Sequence, residues 1–214
     1  LWEGGIEWGC SSQDGELTAE LTINSNGIKQ RQALGQSVQK IYKSTPLTRI
    51  QVLTELLHSL IQGDTAVLES LHEIDIVGHR VVHGGTTYHQ PTFIDATVKD
   101  AIATLIPLAP NHNPVHLEGI ELIETLLGDV PQLAIFDTAF HQTIPPKMAV
   151  YPIPYHWFEK GIQRYGFHGI SHQSCANRVA QLLNRPLESL KLITCHLGNG
   201  ASLTAIAQGR SVNT

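Results

Sequence analysis

The spacing of apolar residues changes period several times along the chain, and each change marks an element. From Leu1 to Ile28 the pattern alternates (LWEGGIEWG, then ELTAELTI) and meets Asn26 and Gly27, a pair that tolerates positive φ; strands joined by a hairpin are predicted. Thr45 and Pro46 form a helix-start signature. Leu47, Ile50, Leu53, Leu57, Leu60 and Ile61 then recur every three or four residues, which predicts an amphipathic helix over Pro46 to Gln62. Ile74 to Val82 is a short β-branched run that stops before Gly84 and Gly85, as a buried strand does. Asp95 is placed to cap a second helix with Val98, Ile102, Leu105 and Ile106 on one face. The PNHNP segment, Pro110 to Pro114, breaks it, and His116 to Leu127 forms a third, ended by Pro131.

Leu133 to Asp137 (LAIFD) reads as another buried strand ending in a carboxylate. The proline-rich TIPPKMAVYPIP that follows suits a crossing between lobes, so a domain boundary is expected near residue 139. Ser171 can cap a helix running to about Leu183 with Cys175, Val179, Leu182 and Leu183 inward. Leu190 to Cys195 and Ala201 to Ala207 are then strands flanking HLGNG. Strands interleaved with helices predict an α/β protein.

Composition narrows the partners. Fourteen basic and 19 acidic side chains give a net charge of −5, which excludes a nucleic-acid footprint made of bulk positive charge. No apolar run approaches the length needed to cross a bilayer, and no basic-then-apolar leader opens the sequence, so neither a membrane nor export is expected. Three cysteines without CxxC spacing encode neither a disulfide framework nor a structural zinc site, and a cytoplasmic location fits. A start at Leu1 and an end inside a polar segment read as part of a longer chain.

Candidate chemistry lies in five polar clusters at strand ends or helix starts: HRVVHGG, APNHNP, FDTAFHQ, RYGFHGISH and HLGNGAS. Arg80 can fork onto a carboxylate or phosphate, or sit in a surface ion pair. Asp137 can hold Mg²⁺ through water, act as a base, or cap the next turn. His112, His168 and His196, each flanked by small residues or proline, can donate hydrogen bonds to a transferring phosphoryl group. The glycines of His196 to Gly200 let backbone N–H groups converge into an anion nest, although such a loop is also an ordinary hairpin turn. Against this stands a zinc reading: His112 and His116, and His168 and His172, are four apart. Both pairs lack the HExxH glutamate, and prolines interrupt the first, so its two rings are not expected to share a face.

In order and spacing, HRVVHGG, LAPNHNP, AIFDTAFHQTIP, RYGFHGISH and CHLGNGAS closely resemble the acetate kinase (acetokinase) family of the sugar-kinase, Hsp70 and actin superfamily. The resemblance implies actin-like, ribonuclease H-like α/β lobes, the first (residues 1–139) nearly complete and the second (140–214) truncated. It further implies reversible phosphoryl transfer from ATP to acetate, giving acetyl phosphate and ADP, with Mg²⁺ or Mn²⁺, in a cytoplasmic homodimer. By the same resemblance Arg80 contacts substrate, Asp137, His168 and His112 are catalytic, and His196, Leu197, Gly198, Asn199 and Gly200 form the ATP-phosphate loop. Val82 and Phe167 wall the pocket for the acetate methyl. Asn111 departs from the family's LAPLHNP, where an apolar pocket residue stands, and leaves propionate or another short acyl group as an alternative substrate. Asn213 replaces the aspartate of SVDTS. The family's first phosphate loop, second arginine, adenosine pocket and metal-linked glutamate are absent from these 214 residues, which are therefore expected to be inactive alone.

Overall fold

The computed structural model describes residues 1–10, 17–33 and 48–214. The chain forms two compact units, Leu1–Asp75 with Leu122–Val130, and Ile76–Glu121 with Pro131–Thr214. The expected lobe boundary near 139 falls inside the second.

In the first unit, β1 (Trp2–Cys10), β2 (Leu17–Ser25) and β3 (Ile28–Ala33) form an antiparallel sheet in chain order. Asn26 (φ 51°) and Gly27 (φ 86°) make the predicted tight turn, since both central residues of such a hairpin require positive φ. Alternate residues Ala19, Leu21 and Ile23 of β2 pack on Val52 of α1 (Arg49–His58), with Trp2, Ile6 and Leu56 around them. Helix α1 is shorter than the predicted span. Thr48 caps it in a reciprocal box with Gln51, and Ser59 ends it. The predicted start at Thr45 and Pro46 lies outside the described residues.

The second unit contains two sheets. In one, β4 (Val77–Val81) runs parallel to β6 (Gln132–Phe136), and the short β5 (Thr92–Phe93) pairs antiparallel on the other side of β6. Strand β6 alternates buried and half-buried residues, while β4 exposes every second residue and Ile76 is exposed just before it. The prediction of a fully buried strand over Ile74 to Val82 is thus corrected: β4 is an edge strand of this sheet, paired only to β6 among the described residues.

Asp95 caps α2 (Ala96–Thr104) through its carboxylate and the Val98 N–H, 2.9 Å. Helix α3 (Asn113–Leu127) starts three residues earlier than predicted, inside PNHNP. Pro114 falls in the first turn, where a missing N–H leaves no gap in the helix ladder, and His116 N–H already bonds the His112 carbonyl at 3.1 Å. Val81, Val98, Ile102, Ile120, Ala134 and Phe136 form the core beneath β4 and β6. After the short helices α4 (Pro146–Ala149) and α5 (His156–Glu159), α6 (Gly169–Leu182) leads to the antiparallel sheet of β7 (Lys191–Leu197), β8 (Ala201–Ala207) and β9 (Arg210–Asn213). The inward face of α6 is Gly169, His172 and Ala176; Cys175, Leu182 and Leu183, predicted inward, are exposed. Small residues set this face, which brings the helix close to its neighbours and turns the leucines of its last turn outward. No helix among the described residues is long and apolar enough to cross a membrane.

Asn113, fully buried, ties α3 to two other segments. Its Oδ1 accepts from His83 N–H (3.3 Å), and its Nδ2 donates to the carbonyls of His83 and Ile102 (3.2 Å each). Replacing it with the similarly sized Leu strands these backbone groups, so Asn113→Leu is expected to destabilise the protein by about 2–4 kcal/mol. A lowered urea midpoint at unchanged m-value is the measurement.

Candidate active site

Strands β4 and β6 end side by side, and the residue after β6 is Asp137. It is 1% exposed, and each of its polar groups is engaged. Its N–H donates to the Val81 carbonyl (2.9 Å), and its carbonyl accepts from Gly169 N–H (2.9 Å) at the start of α6. Arg80 forks onto its carboxylate, Nη2 to Oδ2 at 2.6 Å and Nε to both oxygens at 3.1 Å. That bond raises the guanidinium's already high pKa, so Arg80 is always charged. Of the two sequence readings of Arg80, the ion pair is the one present; its side chain, 58% exposed, also lines a cavity. Gly169 is needed because a Cβ there would collide with the Asp137 carbonyl oxygen.

The approach to α6 places the imidazoles. His168 is its N-cap and takes a left-handed conformation (φ 58°, ψ 24°), unusual for a residue with a Cβ. The ring stacks on His196 at 4.0 Å between centroids and 15° between planes. Its Nδ1 meets Ser202 Oγ at 2.9 Å, and His196 Nδ1 meets Ser171 Oγ at 3.0 Å. Burial, and next the His196 ring, hold His168 below the ordinary imidazole range, so it is neutral at pH 7. Ser171, predicted as a helix cap, instead sits in the first turn and fixes His196.

A cavity of about 730 Å³ is bounded by Arg80, Val82, Asn111, His112, Asp137, Phe167, His168, His196, Asn199 and Gly200 among others. It thus gathers ten of the residues singled out in the sequence. Leu197 and Gly198 do not line it; Leu197 ends β7 with its side chain exposed. The glycine loop also differs from expectation. Neither Gly198 nor Gly200 adopts positive φ, so the loop lacks the left-handed residue that folds N–H groups into a nest. Gly200 serves closeness instead: a Cβ there would lie 3.2 Å from Cε1 and Nε2 of His168. Asn111 is exposed at the cavity wall, so its amide carries no burial penalty.

Three residues at or behind the cavity had no catalytic or substrate role assigned from the sequence. His116 lines the cavity and accepts the Val82 N–H on Nδ1 (3.2 Å); burial, then His112, lower its pKa. Its ring lies 6.4 Å from that of His112, so the two histidines do neighbour each other despite Pro114 between them. His83 is buried edge-on to Tyr165 (4.4 Å) and Phe167 (5.7 Å), bracing the ring at the cavity wall. Asn213, where the family pattern has aspartate, accepts a hydrogen bond from Arg164 at 2.8 Å. Among the described residues no three His, Cys, Asp or Glu group as metal ligands; His168 and His172, four apart, converge on the Ser202 hydroxyl.

One α/β unit thus turns a paired arginine, a stacked imidazole pair and apolar walls toward one cavity. Comparison with known proteins gives the family: residues 15–214 match the acetokinase family, and the chain belongs to it. An acetate kinase of Gloeothece citriformis is 53% identical over 214 residues, 100% of this chain and 49% of that protein. The crystal structure of Porphyromonas gingivalis acetate kinase superposes with a TM-score of 0.80 at 32% identity, covering 98% of this chain and 54% of that one. A propionate kinase from Francisella tularensis superposes at 0.83 with 32% identity, covering 100% and 50%. The chain thus spans about half the length of the curated relatives it matches.

His141 supplies a pH test of the scaffold. It is 2% exposed, between Ser211 Oγ (2.9 Å) and the Phe167 carbonyl (3.0 Å), and burial pushes its pKa down to about 4. The unfolded imidazole titrates near 6.5, so between that value and about 4 the unfolded chain binds the extra proton and stability falls with pH. From pH 7 to 4.5 this residue is expected to contribute a loss of about 2 kcal/mol. Urea unfolding at the two pH values should show that much less pH dependence in His141→Gln.

Proposed function

We propose that this chain forms the acyl-substrate side of an acetate kinase, which transfers the γ-phosphoryl group of ATP to acetate and gives acetyl phosphate and ADP reversibly. The observation that carries the reading is the convergence of Arg80, Asp137, His168 and His196 on one cavity whose walls include Val82 and Phe167. In this reading the acetate methyl rests against Val82 and Phe167. Donors of Arg80 not used by Asp137 meet the carboxylate or the phosphoryl oxygens. His112, His168 and His196 add N–H donors around the transferring group, and Asn199 and Gly200 face the nucleotide phosphates. The reading also includes lobes divided near residue 139, a homodimer and a cytoplasmic location.

A carboxylate acceptor is already ionised at pH 7, so no base is required to activate it. Asp137 is free for other work. Its position, 1% exposed with both oxygens on Arg80, suits holding that guanidinium in one orientation, which is what a transition state with charge spread over several oxygens rewards. The single carboxylate lining the cavity among the described residues fits a Mg²⁺ or Mn²⁺ ion that keeps its waters and arrives on phosphate oxygens, better than one caged by protein ligands. Such an ion, when bound, neutralises phosphate charge.

A second reading, a propionate or other short-chain acyl kinase, is favoured by Asn111. An exposed amide lines the cavity where the family pattern has an apolar residue, so that wall need not stop at a methyl group.

In the full-length protein carrying this sequence, Arg80→Ala is expected to lower kcat and raise the acetate KM together, about 10²- to 10³-fold in kcat/KM, by hydroxamate assay. A change confined to ATP binding would contradict the assignment. Asp137→Asn is expected to move the midpoint of the Mg²⁺ titration to higher concentration. Lost turnover at an unmoved midpoint would remove the metal from its role and leave the orientation of Arg80.

A further inference from the structure

Behind His168 stands a row of groups that the proposed chemistry does not use. His172 is 1% exposed; its Nδ1 lies 2.8 Å from Thr194 Oγ1 and its Nε2 2.8 Å from Ser202 Oγ. The same Ser202 oxygen lies 2.9 Å from His168 Nδ1. Thr194 is itself buried, at 7% exposure. Neither hydroxyl makes a further hydrogen bond among the described residues.

Counting hydrogens gives the row a direction. A neutral imidazole offers one N–H and one lone pair, and each hydroxyl offers one hydrogen. The Thr194 hydrogen has one acceptor in reach, His172 Nδ1, so the proton of His172 is on Nε2 and is donated to Ser202. The Ser202 hydrogen then has one acceptor left, His168 Nδ1, and the proton of His168 is on Nε2. Any other arrangement leaves a hydroxyl hydrogen without an acceptor, in the Thr194 case inside the protein, which is disfavoured.

We propose that Thr194, His172 and Ser202 are positioning residues that hold His168 as its Nε2–H tautomer and so aim its one N–H donor beside Gly200 into the cavity. The approach of Gly200 fits this, since a Cβ there would lie 3.2 Å from Nε2 and crowd it. The fixed donor is available without a positive charge on His168. What the donor serves rests on the phosphoryl-transfer reading; where the proton sits does not.

The test uses the full-length protein with ¹⁵N-labelled imidazoles, the resonances of both rings being assigned with His168→Gln and His172→Gln. Both rings are expected as Nε2–H tautomers, and an Nδ1–H at His168 overturns the proposal. Ser202→Ala is expected to convert His168 to a mixture of tautomers and to lower kcat by about 10- to 100-fold, with acetate and ATP KM values within about threefold. A Ser202→Ala protein with wild-type kcat, or with His168 still in a single Nε2–H form, overturns it as well. If the wild-type protein fails to phosphorylate acetate, the kinase reading falls while the resonances still decide the tautomer. If it phosphorylates acetate with His168 as Nδ1–H, the row falls and the kinase reading stands.

Discussion

Everything at the cavity hangs on the saturation of one residue. Asp137 closes the parallel pair of β4 and β6 through its N–H, starts α6 through its carbonyl, and fixes Arg80 through its carboxylate. A buried carboxylate without a partner would be strongly unfavourable, and a guanidinium without one would sample many rotamers. Joined, they give a charge of known position at the end of a sheet. Because the α6 N-terminus is bonded to the same residue, His168 is placed relative to Arg80 by backbone rather than by long side chains. Gly169 makes that join possible, and no residue with a Cβ can replace it without moving the helix.

The imidazoles are governed by a second constraint. Burial lowers the pKa of His116, His141, His168 and His172, so these four imidazoles are neutral at pH 7. Neutral rings have direction: one nitrogen gives and the other takes, and the partner on one side fixes what the other presents. The hydroxyls of Thr194, Ser202 and Ser211 each contact one or two of these rings. Polar residues in this core thus orient the site, a role that an apolar core of equal stability would not fill.

What the sequence made legible was local. Asn26 and Gly27, the Asp95 cap, LAIFD and the strands around HLGNG each depend on neighbours within a few residues, and each formed near the place expected. The polar clusters were legible as a set because their residue types are unusual at strand ends. The errors have a common cause in tertiary context. The inward face of α6 was assigned from apolar residues, yet Gly169, His172 and Ala176 face inward because close approach to Asp137 and Ser202 outweighs burying two terminal leucines. Asn113 looked like part of a helix-breaking segment, whereas its three hydrogen bonds reach residues 11 and 30 positions away. The glycines of HLGNG suggested a backbone nest, and the need for Gly200 came instead from a ring 32 positions earlier in the chain. No window of sequence contains those contacts.

In the proposed kinase, the charge arrangement accounts for how a chain of net charge −5 would hold an anion. Bulk charge acts over a Debye length of about 8 Å in physiological salt and is weakened by it, whereas a desolvated donor at contact is not. At this cavity the one lining carboxylate is matched by Arg80, and the lining rings of His116 and His168 present N–H groups or lone pairs rather than charge. In the proposed kinase the acyl acceptor already carries its charge, so no group at the site has to remove a proton and later return it. Each polar side chain can be committed to orientation. That commitment explains why hydroxyls, glycines and a left-handed His168 are concentrated around so small a space: they raise the definition of the site, and the negative surface elsewhere bears little on it.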